Sequence, residues 1–254
     1  MRYEISYSCT SHTGNLRSIN QDNFICNKQY MNSDASGVTL PLSGNVISAT
    51  PTLFGVFDGL GGEECGEIAS YIAAKNASCF TPHKDSIASL KSLCEVANDE
   101  ICRYMKDNLI SSMGTTAAML LFDKKSITVC NIGDSKVFYI SDKKIRQVSF
   151  DHVSPTVYGK KPPLFQSLGI SRDEMVIEPY FCKGEYISGD KYLICSDGLT
   201  DMVGIDEIKN IINEKSINNA TSSLLEKALE NGGRDNITII LLEIKQKKNK
   251  LLFK

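Results

Sequence analysis

The stretch TAAMLLFDKKSITVCNIGDSKVFYISDKKIRQV, residues 116–148, decides the fold class. Its apolar, β-branched runs Thr116 to Phe122, Ile127 to Ile132, Val137 to Ile140 and Ile145 to Val148 are separated by the turn formers Asp-Lys-Lys, Gly-Asp-Ser and Asp-Lys-Lys. Short runs broken by turns predict strands, and their succession predicts an antiparallel meander. Just before it, Ile87, Leu90, Leu93, Ala97, Ile101 and Tyr104 recur at three-and-four spacing, which predicts an amphipathic helix from Asp85 to Ile110. A second helix, packed beside it, is predicted over Glu63 to Phe80, with Ile68, Ile72 and Ala73 on one face. Further strands are predicted at Phe24 to Cys26, Leu53 to Phe57, Lys191 to Cys195 and Ile237 to Ile244. Helices are predicted near Asp206 to Glu214 and Ser222 to Glu230, the last stopped by Gly232 and Gly233. Strands in runs and helices in runs predict an α+β architecture in one domain. The Ser-, Asn- and Gly-rich segment Met31 to Thr50 reads as a long hairpin loop or insertion.

Composition removes several classes of function. The 28 basic and 30 acidic side chains balance, so no global field draws the protein to nucleic acid. No apolar run approaches the roughly 20 residues of a membrane-spanning helix. Nine cysteines, an odd and irregularly spaced set, and the lack of a signal-peptide pattern in MRYEISYSCT predict a reduced, cytoplasmic protein whose cysteines pack as small apolar side chains. There is no Cys-x-x-Cys pair for zinc, and no cysteine has an arginine six positions later, as thiol-based phosphate-ester chemistry requires. A nucleotide-binding Gly-x-x-x-x-Gly-Lys-Ser/Thr loop is also missing. The final residues, KQKKNKLLFK, form a Lys-rich tail that reads as a solvated run.

The chemistry concentrates at strand ends. In Phe54-Gly-Val-Phe-Asp-Gly-Leu-Gly-Gly-Glu-Glu, an apolar run ends in Asp58 and then meets three glycines before a helix. Glycines there allow positive φ and close backbone approach, so the Gly59 carbonyl can join Asp58 around a hard cation; alone, the motif is more often a tight turn. Tyr192-Leu-Ile-Cys-Ser-Asp-Gly places Asp197 in the same way, and Asp235 stands directly before the strand Ile237 to Ile244. If these strands share one core and end on one side, three carboxylates converge as Mg²⁺ or Mn²⁺ requires.

In this order the motifs resemble the PPM family of metal-dependent protein phosphatases, the type 2C class, and especially its short bacterial branch. The resemblance runs from Gly14-Asn-Leu-Arg-Ser-Ile-Asn-Gln-Asp through Asp-Gly-Leu-Gly-Gly, Gly114-Thr-Thr, Asn131-Ile-Gly-Asp-Ser-Lys and Cys195-Ser-Asp-Gly-Leu-Thr-Asp to Gly233-Arg-Asp-Asn-Ile-Thr. It implies a central β-sandwich of two antiparallel sheets flanked by helices on both sides, in a phosphatase domain over 1–245, with the tail at 246–254. It implies two Mn²⁺ or Mg²⁺ ions, with Asp58 bridging them, the Gly59 carbonyl on one, and Asp197 and Asp235 completing the other. A third, weaker ion is implied at Asp134, Asp197 and Asp201; read locally, Asp134 only caps a turn and Asp201 only caps the following helix. Asp22 matches an acid near the metal-bound waters, and Arg17 matches the arginine that grips the substrate phosphate, a task suited to a planar guanidinium. Gln21 stands where some members carry glutamate, and Gly114 and Thr115 read as packing or water support.

The implied activity is hydrolysis of phosphoserine and phosphothreonine in proteins by a metal-bridging water, in one step, with Arg17, Asp22 and Asp58 as the catalytic set. Phosphorylated proteins and a cognate serine/threonine kinase are the implied partners, with no nucleic acid and a monomeric state. Leu60 stands where many eukaryotic members have a histidine proposed to protonate the leaving group, and Asp151 to Gln166 reads as a shortened flap beside the site. His12, His83 and His152 lack ligand spacing and read as structural or surface residues. The alternative is a catalytically weak relative that docks a phosphoprotein or kinase.

Overall fold

The structure, a computed structural model, describes residues 3–38, 41–60, 65–142, 144–155 and 162–247. In chain order the elements are β1 (Tyr3–His12), β2 (Asp22–Cys26), β3 (Leu42–Ile47), β4 (Thr52–Leu60), α1 (Gly66–Ser78), α2 (Ser86–Asn108), β5 (Gly114–Thr115), β6 (Ala117–Asp123), β7 (Ser126–Ile132) and β8 (Lys136–Ile140). There follow β9 (Ile145–Gln147), β10 (Tyr180–Glu185), β11 (Lys191–Cys195), α3 (Asp197–Thr200), α4 (Ile205–Glu214), α5 (Ile217–Glu230) and β12 (Ile237–Gln246). One antiparallel sheet has the order β3-β1-β12-β11-β8-β9; the other is β10-β7-β6-β4-β2, with β5 added to the end of β4.

The layering follows from which faces are apolar. β12, ITIILLEIKQ, is buried from Ile237 through Leu242, because both of its faces are covered. Ile240, Leu242 and Ile244 enter the core between the sheets with Ile5, Tyr7, Phe54 and Phe122. Ile237, Ile239 and Leu241 point the other way, into a cluster with Ile212, Leu224 and Ala228 of α4 and α5. The second sheet turns Ile25, Phe57 and Met119 outward against Ala73 of α1 and Leu90, Ala97 and Ile101 of α2. The result is a sandwich with a helix pair on each outer face. α2 starts as its sequence predicts, with Asp85 capping Ile87 and Ala88 N–H groups at 3.0 and 3.3 Å.

Three expectations change. The stretch 116–148 is not one meander: β6 pairs β7 in one sheet, while β8 pairs β9 in the other. The far edge of β7 is taken by β10 and that of β8 by β11, so the chain crosses between sheets at Gly133, whose φ is +90°. Within Met31 to Thr50, β3 forms an edge strand on β1 over Leu42 to Ile47, and β1 itself was not anticipated. Gly59 is absent from the positive-φ residues; it is needed because a Cβ there would lie 2.4 Å from both the Gln21 and Gly66 carbonyl oxygens. β12 runs through Gln246, and the tail from residue 248, like Gly61 and Gly62, lies outside the described residues. No disulfide forms among the described residues, where Cys9, Cys26, Cys94, Cys130 and Cys195 are buried. No described helix is long and apolar enough to cross a membrane.

Candidate active site

The acids gather at one end of the sandwich because antiparallel pairing sends strand starts and strand ends there together. Asp22 at the start of β2 lies opposite Asp58 near the end of β4. Asp197 follows the end of β11, beside the start of β12 that Asp235 precedes. Asp134 occupies the crossing between β7 and β8. Carboxylate oxygens of Asp58, Asp134 and Asp197 all lie within 4.8 Å of one another.

The backbone holding these side chains is pinned. Thr116 accepts from the Asp58 N–H through Oγ1 at 3.0 Å, and its own N–H donates to the Asp58 carbonyl at 2.9 Å. Thr115 Oγ1 donates to the same carbonyl at 3.0 Å, so the Gly-Thr-Thr segment serves to fix the backbone at Asp58. His152 does the same for the turn before Asp134: its Nδ1 accepts from Gly133 N–H at 3.2 Å and its N–H donates to the Gly133 carbonyl at 3.0 Å. Burial lowers the His152 pKa, which suits a neutral imidazole acting as acceptor. The reading of His152 as structural therefore fits its contacts. His83 is exposed, and His12 Nδ1 accepts from Gly14 N–H at 2.9 Å.

Asp22 is buried, and burial, aided by the charge of Asp235, pushes its pKa up to about 6. Its Oδ2 accepts from Ser196 Oγ at 2.7 Å, while Oδ1 meets no donor at hydrogen-bonding geometry. Asp235 is not within the close group of three; its Oδ2 instead receives Arg17 Nη2 at 2.8 Å. Arg17 is half exposed and its pKa is raised, first by that hydrogen bond. An exposed pair of this kind contributes about 0–1 kcal/mol, so Arg17 can exchange Asp235 for another anion at little cost. Asp201 is exposed and ends α3, its N–H donating to the Asp197 carbonyl at 2.8 Å; it does not cap α4, whose N-cap is Gly204.

Several residues that build this end were not picked out by sequence. Asn236 donates through Nδ2 to the Thr13 and Ile19 carbonyls at 2.8 and 2.9 Å and accepts from Gln21 N–H at 2.8 Å. It thereby ties the Arg17 loop to the Asp235 turn. Asn15 adds contacts to the Leu229 and Gly232 carbonyls at 2.9 and 3.2 Å. In Asp151 to Gln166, the segment read from sequence as a shortened flap, Ser154 N–H donates to the Pro163 carbonyl and Phe165 N–H to the His152 carbonyl, while 156–161 lie outside the described residues.

All the acid donors are oxygen, neither histidine nor cysteine enters the close group, and the buried Asp22 Oδ1 meets no hydrogen-bond donor among the described residues. That chemistry fits hard divalent cations. Cys195, behind the site, does not fit a thiol nucleophile, because burial pushes it up to about 12. Gly59→Ala is expected to cost about 1–3 kcal/mol, since the new methyl meets two backbone carbonyls that cannot both move. Urea unfolding checks this, and an unchanged midpoint would show that the β4 end is looser than these contacts imply.

A family model described as protein phosphatase 2C matches residues 17–155. The serine/threonine protein phosphatase PstP of Mycobacterium tuberculosis is 27% identical over 213 residues, 78% of this chain but only 41% of PstP. The chain thus spans about two fifths of the length of that relative. The serine/threonine phosphatase stp of Listeria welshimeri is 27% identical over 211 residues, covering 74% of this chain and 82% of its own. Among solved structures, the PstP catalytic domain in complex with two manganese ions superposes with a TM-score of 0.77 at 24% identity, covering 96% of this chain and all of that one. The Stp1 phosphatase of Staphylococcus aureus does so with 0.77 at 23% identity, covering 94% and 95%. These structural likenesses establish the fold.

Proposed function

The chain belongs to the protein phosphatase 2C family, and on that premise we propose that it is a metal-dependent protein serine/threonine phosphatase acting on phosphoserine and phosphothreonine in proteins. The observation that carries the reading is the convergence of Asp58, Asp134 and Asp197 at a sandwich end that also holds Asp22, Asp235 and Arg17. Asp58, the Gly59 carbonyl, Asp197 and Asp235 would hold two divalent cations, Mn²⁺ or Mg²⁺. A third, weaker ion would sit with Asp134, Asp197 and Asp201, the last one helical turn beyond Asp197. When bound, such ions supply positive charge toward a phosphate dianion and lower the pKa of water.

The chain's own residues do the rest. Arg17 leaves Asp235 and presents paired donors to the phosphate oxygens, fixing its orientation. Asp235, released from Arg17, becomes available as an oxygen ligand. Asp22 adds a buried acceptor behind Asp58, and Thr115 and Thr116 keep the Asp58 backbone from shifting. Leu60 offers no proton, so the leaving group must take its proton from water. A cytoplasmic monomer opposing a cognate serine/threonine kinase completes the proposal.

The test is hydrolysis of p-nitrophenyl phosphate and a phosphothreonine peptide with Mn²⁺, with Mg²⁺ and with EDTA. Turnover that requires metal supports the reading. A folded protein that hydrolyses neither substrate with either ion replaces it with the docking alternative.

A further inference from the structure

Beside the Arg17 loop lies a cavity of about 370 Å³, a size typical of ligand pockets, with no part in the chemistry above. Its lining combines the apolar Ile19, which is 53% exposed, Ala35 and Ile68 with the acidic Asp34 and Glu67. Its far side, residues 33–36, comes from the Ser- and Asn-rich segment between β2 and β3. That side is anchored: Thr13 Oγ1 donates to the Ser36 carbonyl at 2.6 Å and Val38 N–H to Ser11 at 3.0 Å. Gly37, with φ +141°, lets the chain approach so closely that a Cβ would lie 2.3 Å from the Ser11 carbonyl oxygen.

We infer that this cavity is a substrate subsite that takes an arginine or lysine side chain two to three residues from the phosphorylated residue. The inference rests on the phosphatase reading, in which Arg17 holds the phosphate. Ile19 is two residues from Arg17, so their Cα atoms are at most about 7.6 Å apart. Residues two apart in an extended peptide are separated by roughly 6.5–7 Å, so a neighbour of the phosphoresidue reaches the cavity. No lysine or arginine is among the described lining residues, and the Glu67 carboxylate accepts from Gln21 Nε2 at 3.5 Å. A lining that joins apolar side chains to two acidic residues matches the apolar stem and cationic head of lysine or arginine. An acidic neighbour in the substrate would face both carboxylates and be disfavoured.

The experiment compares phosphothreonine peptides carrying arginine, alanine or glutamate at these positions, for the wild type and Asp34→Lys. Each rate is divided by the same protein's rate on p-nitrophenyl phosphate, which is too small to fill the cavity. The wild type is expected to favour the arginine over the glutamate peptide about three- to tenfold in kcat/KM, mainly through KM, as a rim charge contact allows. Asp34→Lys is expected to abolish or invert that ratio. Equal kcat/KM for the three peptides, or a ratio unchanged in Asp34→Lys, overturns the subsite while p-nitrophenyl phosphate hydrolysis leaves the phosphatase standing. Absence of hydrolysis of every substrate overturns both.

Discussion

Asp58→Asn is expected to lose metal-dependent phosphatase activity by about 10²–10³-fold or more, the scale of removing one group that acts on transition-state charge. In EDTA the same protein is expected to be more stable than the wild type. Three carboxylates within 4.8 Å repel one another when no cation is present, and at an effective dielectric constant near 20 each such pair costs about 3–4 kcal/mol. Replacing one charge with a neutral amide of the same shape relieves two of those repulsions. The wild type recovers part of the deficit when Mn²⁺ binds, about 2.7 kcal/mol per site at a hundredfold excess over Kd. Thermal unfolding with and without Mn²⁺ reads both effects without any substrate. A variant that melts below the wild type in EDTA and still gains stability from Mn²⁺ would mean that Asp58 serves the strand and not the ions. The sacrifice of stability for a charged site is what separates this end of the sandwich from its core.

How far the sequence discloses this protein depends on how each residue acts. Asp58, Asp197 and Asp235 are visible because each sits where an apolar run stops, and a strand end is a place that pattern can find. That Asp235 faces Arg17 across the mouth is not visible, because the pair joins residues 17 and 235 through loop geometry alone. Asn236 is similarly hidden: its side chain works on the backbone of Thr13, Ile19 and Gln21, and backbone groups leave no trace in residue type. β1 escapes notice because its outer positions Ser8 and Thr10 are polar yet fully buried on the face that meets α5, so its pattern looks like that of a soluble loop. The four strand runs of 116–148 are each legible, and their division between two sheets is not. Strand identity is local, whereas the choice of partner is decided by β10 and β11 some fifty residues later.

Phe122→Ala is expected to destabilise the fold by about 3–5 kcal/mol while leaving the site assembled in whatever fraction stays folded. Phe122 is fully buried at the far end of β6 and stands edge-on to Phe54, Tyr186 and Tyr192, with ring centroids 6.0, 5.3 and 5.9 Å away. Phe54 belongs to its own sheet and Tyr192 to the opposite one, so a single ring closes the sandwich from both sides. Removing it leaves three aromatic edges facing a void that the β-sheet backbone cannot collapse to fill, and each lost aromatic pair adds about 0.5–1.5 kcal/mol beyond area. Against a total stability of about 5–15 kcal/mol this is a large share, and the midpoint should fall by about 2–4 °C for each kcal/mol. Phe122→Leu, which refills most of the volume, should recover more than half of the loss. Six residues of strand, about 20 Å, separate Phe122 from Thr116 beside Asp58. At low temperature the Mn²⁺-induced rise in melting point should therefore match the wild type's, because the cluster end does not touch the aromatic end. If the alanine variant loses that rise as well, the two ends are coupled through β6, and the strand transmits core packing to the carboxylates.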